Sequence, residues 1–305
     1  MRAPGKVNLQ LSVGPAGADG FHPVATVFQA VDLYETVTAS ARADGEIRLT
    51  VDGVAALEES LAGVPLDQSN LAWQAALAVR ERFGIEAGID MHLLKGVPIA
   101  GGMAGGSADA AAAVVACAEA WDCGASRAEL HELCASLGSD VPFAMHGHTA
   151  VGLGRGEQLS PAMTRGEYHW VFAVRHRGLS TPAVFREFDR LAAAGEIEPG
   201  EPRLDPRIMR ALSLGDAVEL GAALRNELEP AALSLAPELA GTLAAMKDAD
   251  ALGAIVSGSG PTVAGLARSR HHALAIAAHL NALRQADATL CATGPAAGAV
   301  ILEEV

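Results

Sequence analysis

The chain has 305 residues and a mass of 31.1 kDa; half of its residues are hydrophobic, 19% are charged, and the formal net charge is −14. This is the composition of a compact folded protein, and its acidity excludes nucleic-acid polymers and anionic membranes as main partners, since both demand a basic footprint. The longest purely apolar run, residues 110–118, falls short of the roughly 20 residues a membrane span requires. The N-terminus enters a strand-like alternation without the apolar core of a signal peptide. Cys117, Cys123, Cys134 and Cys291 form no C-x-x-C pair, so reduced thiols, no metal or disulfide role and a cytoplasmic setting are expected.

Alternation predicts strands over 6–13 and 24–40, split by a Gly-rich turn at 14–20, and another over 47–51. Helical spacing marks 70–83, with Ser69 or Asn70 as N-cap, and a strand follows over 89–94. A glycine-rich loop then opens into a helix over 107–121. The next helix, 126–137, carries a capping box, Ser126-Arg-Ala-Glu129, and stops at Gly138. From about 160 the pattern restarts with a strand (169–174), a helix (182–194) and a polar, Pro-rich segment (195–206). Helices over 216–228 and 238–249, strands flanking a turn at 257–261, a helix over 271–285 and a strand near 299–302 complete the chain. With no internal repeat and no strict β-α-β alternation, two α+β domains with a site between them are expected.

Four segments carry chemistry. Pro98-Ile-Ala-Gly-Gly-Met-Ala-Gly-Gly-Ser-Ala-Asp109 precedes an Ala-rich helix; its glycines let backbone amides turn toward an anion, and the helix adds its positive end. Glycines that merely permit close packing are the alternative. No Walker A or G-x-G-x-x-G motif occurs. Leu137-Gly-Ser-Asp-Val-Pro-Phe143 puts Asp140 just past a helix C-terminus, where the dipole disfavours its anion unless a cation is near, although a turn-forming Asp also fits. Val256-Ser-Gly-Ser-Gly-Pro-Thr262 reads by itself as a hairpin turn. Ala3-Pro-Gly-Lys-Val-Asn-Leu9 places Lys6 and Asn8 on one face of a strand.

In this order the four segments resemble the GHMP kinase superfamily. Pro-Gly-Lys-Val-Asn-Leu, Asp19-Gly-Phe-His22 with Val27-Phe-Gln29, Leu137-Gly-Ser-Asp-Val-Pro and Asn226-Glu-Leu-Glu-Pro230 resemble the branch that acts on 4-diphosphocytidyl-2-C-methyl-D-erythritol. The resemblance spans nearly the whole chain. It implies a two-domain α+β fold, with an ATP-binding domain like ribosomal protein S5 domain 2 over 1–160, a ferredoxin-like domain over 161–305 and the active site in the cleft between them. The implied reaction is ATP-dependent phosphorylation of a 2-hydroxyl, with Mg²⁺, in isoprenoid precursor biosynthesis. The implied partners are ATP and a cytidine diphosphate-linked methylerythritol, with the chain a monomer or homodimer. Homoserine or mevalonate kinases are the nearer rivals, and a non-catalytic nucleotide sensor on the same fold the more distant one; a nucleobase clamp and the pair Lys6 and Asp140 speak against them.

Carried over residue by residue, the resemblance makes Asp140 and Lys6 the catalytic pair. It gives the nucleotide to Pro98, Ala100, Gly101, Gly102, Met103, Ala104, Gly105, Gly106 and Ser107, with Lys95 and Asn70 near the adenosine. The substrate side falls to Asn8, Phe21, His22, Phe28, Thr181 and Phe185 and to the loop Ser257, Gly258, Ser259 and Gly260, with cytosine between Phe21 and Phe185 and its polar edge on His22. Two departures stand out. The loop reads Gly102-Met-Ala-Gly-Gly-Ser-Ala-Asp109 where the family has Gly-Leu-Gly-Gly-Gly-Ser-Ser-Asn, and Phe21 replaces a Tyr. Charge is uneven as well, with 9 basic and 19 acidic residues up to residue 160 and 13 and 17 after it. Anions must therefore be held locally, by amides, a helix dipole, Mg²⁺ and one lysine, and not by a broad positive field.

Overall fold

A computed structural model describes residues 1–302. In chain order its first part holds β1 (Arg2–Val13), β2 (Val24–Arg42), β3 (Ile47–Gly53), a 3₁₀ segment (Ala55–Gly63), α1 (Leu71–Phe83), β4 (Gly88–Lys95), α2 (Gly105–Ala120), α3 (Arg127–Leu137), α4 (Val141–His146), β5 (Thr149–Leu153) and β6 (Gln158–Pro161). The second part holds β7 (Tyr168–Val174), α5 (Thr181–Ala193), α6 (Pro206–Leu214), α7 (Ala217–Ala223), β8 (Arg225–Asn226), α8 (Glu229–Leu235), α9 (Leu239–Asp248), β9 (Gly253–Val256), β10 (Val263–Ala267), α10 (Arg270–Ala282) and β11 (Ala288–Gly294).

The first sheet runs β3-β4-β2-β1-β8, with β5 on β2 and β6 on β5; the second runs β11-β7-β10-β9, all antiparallel. Numbered within that sheet alone, the order is 4-1-3-2, the ferredoxin-like arrangement. The long β2 curls enough to pair with β1, β4 and β5. Its far face is covered by α2, whose Ala110 to Cys117 are buried on every side, the mark of a central helix. Against α2 stand α1, begun by the Asn70 cap and ended by left-handed Gly84, and α3, begun by the Ser126–Glu129 capping box.

The register of β1 shifts between Asn8 and Gln10. That bulge lets Lys6, Asn8 and Leu11 share the face toward the cleft, while Val7 and Leu9 pack with Trp170 and Phe172 of the second sheet. The two parts interlock. Strand β8 pairs with β1, and after β11 the chain returns to the first sheet, where Ala296 N donates to Ala30 O at 2.9 Å.

Two expected elements are corrected. The helix expected over 216–228 ends at Ala223, because Asn226 closes a turn onto the Leu228 amide at 2.9 Å and Pro230 opens a new helix. The strand expected near 299–302 is a single bridge between Val300 and Arg2, and the strand itself lies at Ala288–Gly294. Helix α4 was also unanticipated, since Val141-Pro142 reads as a break although Pro fits the first turn of a helix.

Candidate active site

The loop between β4 and α2 carries positive φ at Ala100 (51°), Gly102 (74°) and Ala104 (58°). Ala104 precedes α2 in the left-handed region and offers no capping side chain, so the first amides of α2 are left for a ligand. Pro98, Ala100, Gly101, Gly102, Ala104, Gly105, Gly106 and Ser107 line a cavity of about 930 Å³ between the two parts of the chain. A Cβ on Gly102 would stand 2.0 Å from Ser257 O, and one on Gly105 2.8 Å from a Glu35 carboxylate oxygen, so close approach requires glycine at both. The Met103 side chain is the exception to the expected lining: it turns fully into the core with Val7 and Val97, and only its carbonyl serves the loop, accepting from Lys6 N at 3.1 Å.

Lys6 and Asp140 both face this cavity. The Lys6 ammonium donates to Asn8 Oδ1 and, at 2.9 Å, to Gly102 O. Asn8 in turn donates to Thr26 Oγ1 at 2.8 Å, and Thr26 to Gln10 O at 2.6 Å, which fixes the amide of Asn8 with its oxygen toward the lysine. Burial lowers the Lys6 pKa, and the Asp140 charge opposes that shift. Asp140 itself is half-buried between the end of α3 and the start of α4. It lies just past a helix C-terminus as the motif implies, and its backbone is also the N-cap of α4, with its side chain free of any capping bond.

Phe21, His22, Phe28, Thr181 and Phe185 also line the cavity, with Lys6 Nζ 5.7 Å from the Phe28 ring centroid. Phe21 is 53% exposed, and the Arg155 guanidinium lies 3.7 Å from its ring centroid. The His22 ring leans on Phe185 (4.8 Å between centroids) and its Nε2 is 2.8 Å from Asp189 Oδ1. Phe28 is buried against Phe143. Thr181 and Ser259 share a hydroxyl hydrogen bond of 2.8 Å. Of the late loop, Gly258 and Ser259 line the cavity, whereas Ser257 is buried beneath it, donating to Gly102 O at 3.2 Å, and Gly260 closes the turn onto Ser257 O at 2.8 Å. Arg155, Asp189 and Thr26 were missed in the sequence; none belongs to a motif, and Arg155 meets Asp19 across 136 positions.

Lys95 and Asn70 lie outside the cavity lining. Lys95 is buried and its ammonium is taken by Glu35, at 2.7 Å, and by Asp109. The Asn70 amide accepts from Ala72 N at 2.8 Å and donates to Pro65 O at 2.7 Å, so both of its ends serve the start of α1. These two side chains, expected near the adenosine, are engaged in a buried ion cluster and a helix cap.

Two family models match the chain, the GHMP kinases N terminal domain over residues 70–148 and the GHMP kinases C terminal domain over 208–286. Among solved structures, a 4-(cytidine 5'-diphospho)-2C-methyl-D-erythritol kinase superposes with a TM-score of 0.75 at 30% identity, covering 96% of this chain and 98% of that one. The L. major mevalonate kinase shares the fold at 15% identity, with a TM-score of 0.76 and coverage of 97% and 96%. Fold and cleft together define a GHMP kinase, a phosphotransferase. The 4-diphosphocytidyl-2-C-methyl-D-erythritol kinase of Streptomyces coelicolor is 52% identical over 303 residues, 99% of each chain, and that of Thermobifida fusca 52% identical over 305, covering 99% and 97%. The chain belongs to the 4-diphosphocytidyl-2-C-methyl-D-erythritol kinase family.

Proposed function

We propose that this chain transfers the γ-phosphoryl group of ATP to the 2-hydroxyl of 4-diphosphocytidyl-2-C-methyl-D-erythritol, giving the 2-phosphate and ADP for isoprenoid precursor synthesis in the cytoplasm. One observation carries the reading: a single cavity has an amide-lined glycine loop, the pair Lys6 and Asp140, and a cluster of aromatic rings along its walls. The first suits phosphates, the second an acceptor hydroxyl, and the third a nucleobase.

Phosphoryl transfer passes through a loose transition state, so positioning and charge stabilisation outweigh early proton removal. The loop amides and the α2 N-terminus hold the phosphates and meet the charge that builds on the transferred group. Lys6 shares the cavity wall with Asp140 and orients the hydroxyl. Asp140 accepts the hydroxyl proton late in the transfer. Among the described residues no three His, Cys, Asp or Glu side chains converge on a metal-sized site. The hard oxygens of Ser107 and Asp140 on the cavity wall would suit a Mg²⁺ bound with the nucleotide, which would neutralise phosphate charge. Phe21 and Phe185 offer faces for cytosine and His22, set by Asp189, offers a ring nitrogen.

The test is ADP release over a panel of the cytidyl substrate, homoserine and mevalonate. Turnover with the cytidyl compound is expected. Turnover confined to homoserine or mevalonate overturns the substrate assignment, and turnover with none overturns the activity.

A further inference from the structure

Asn226, in the segment Asn226-Glu-Leu-Glu-Pro230, lies outside the cavity lining, yet it is buried and every polar atom of its amide is engaged. Its Nδ2 donates to Val256 O at 2.8 Å and to Gly258 O at 2.7 Å, while its Oδ1 accepts from Leu228 N at 2.9 Å. Its backbone stands beside Leu11 of β1, the strand that carries Lys6. Asn226 thus ties the late glycine turn, which connects two strands of the second sheet, to β1 of the first.

That turn sits directly on the lysine. A Cβ added to Gly258, whose φ is +55°, would lie 3.1 Å from Lys6 Nζ, 3.0 Å from Gly102 O and 3.3 Å from Asn8 Oδ1. Gly102 O also accepts from both Lys6 and the Ser257 hydroxyl. The two glycine loops and the ammonium therefore meet at one point, and the Gly258 carbonyl is held there by Asn226. We propose that Asn226 is a positioning residue for Lys6: its amide seats the 257–260 turn over the ammonium and the Gly102 carbonyl, fixing where the lysine points into the cleft.

The lysine content of the chain makes this testable without an assay of turnover. Only Lys6, Lys95 and Lys247 are present. Lys247 is exposed, Lys95 is buried in an ion cluster with Glu35 and Asp109, and Lys6 is buried under the turn. In Asn226→Asp the Leu228 contact is kept while an oxygen replaces the nitrogen that faces two carbonyl oxygens. Asn226→Ser, which loses the same donors more gently, serves if the first variant does not fold. Acetylation of the native, ligand-free chain by acetic anhydride, read by peptide mass, is expected to rise at Lys6 by about tenfold with Lys95 still protected. With the reading of Lys6 in "Proposed function", on which this second arm rests, kcat falls by about tenfold while KM for both substrates stays within about threefold. Unchanged protection of Lys6 overturns the proposal. So does joint exposure of Lys6 and Lys95, which would show Asn226 serving the fold alone. Exposure of Lys6 with unaltered kcat upholds the positioning and overturns the part assigned to Lys6 in turnover.

Discussion

The Lys95 ammonium lies 2.7 Å from a Glu35 carboxylate oxygen directly beneath the phosphate loop, and Asp109 of α2 closes on the same ammonium. Two acids share one cation out of reach of water. Burial first, and then the Asp109 charge, push the Glu35 carboxyl up to about 8 against the pull of Lys95. The cluster therefore holds a proton at neutral pH.

That proton sets a stability profile. Unfolded, a Glu titrates near about 4.3. Between that value and about 8 the native chain binds a proton that the unfolded chain does not. The Glu35 contribution is thus fully present below the unfolded pKa and is lost as pH rises toward the folded one. Glu35→Gln fixes the neutral form and should flatten the fall. Urea unfolding at pH 5, 6, 7 and 8 measures it; parallel profiles for the native chain and the variant would show that no proton resides there.

The phosphate loop carries backbone strain at an identifiable place. Ala104 stands at φ +58°, where the family pattern has glycine, and the left-handed region costs a residue with a Cβ roughly 1 to 2 kcal/mol. Ala104→Gly removes that cost but gives the unfolded chain more freedom, about 0.4 to 1 kcal/mol. The expected balance is a gain of about 0.5 to 1 kcal/mol, read by chemical denaturation. A loss of stability would place the Ala104 methyl among contacts that matter more than its backbone.

Much of this fold was legible because local signals and tertiary role agree. Asn70, Ser126 and the Lys6/Asn8 alternation each act within a few residues, and each forms the element its pattern announces. Lys95 shows the opposite case. The resemblance puts it near the adenosine, and nothing local reveals that Glu35, 60 positions away, and Asp109 take its ammonium. Arg155 and Asp189 were invisible likewise, as each acquires a role only when hairpin and helix meet the 14–23 loop. Strand β11 was missed because Ala, Thr and Cys alternate too weakly in hydropathy to mark a face.

Asp140→Asn keeps the shape of the side chain and removes its ability to take a proton. If Asp140 acts on the acceptor hydroxyl, kcat should fall by about 10²- to 10⁴-fold with substrate affinity roughly kept. Steady-state kinetics together with equilibrium binding of the cytidyl substrate separate the two effects. A variant with near-native kcat would sink the assigned role.

The aromatic wall of the cleft predicts a difference between the two substrates. Phe21 stands half in solvent with Arg155 over its ring, an exposure that a core residue would not need. A base stacked on such a ring is worth about 1 to 3 kcal/mol, so Phe21→Ala should weaken the cytidyl substrate by about 5- to 150-fold and leave ATP nearly unchanged. Arg155 contributes an exposed cation–π contact worth about 0.5 to 1 kcal/mol, and Arg155→Ala should show a milder form of the same selectivity, about two- to fivefold. KM and Kd for each substrate decide the matter. Equal losses for ATP and the cytidyl compound would place Phe21 outside the base site, because a ring that serves one nucleotide cannot, through stacking alone, weaken both.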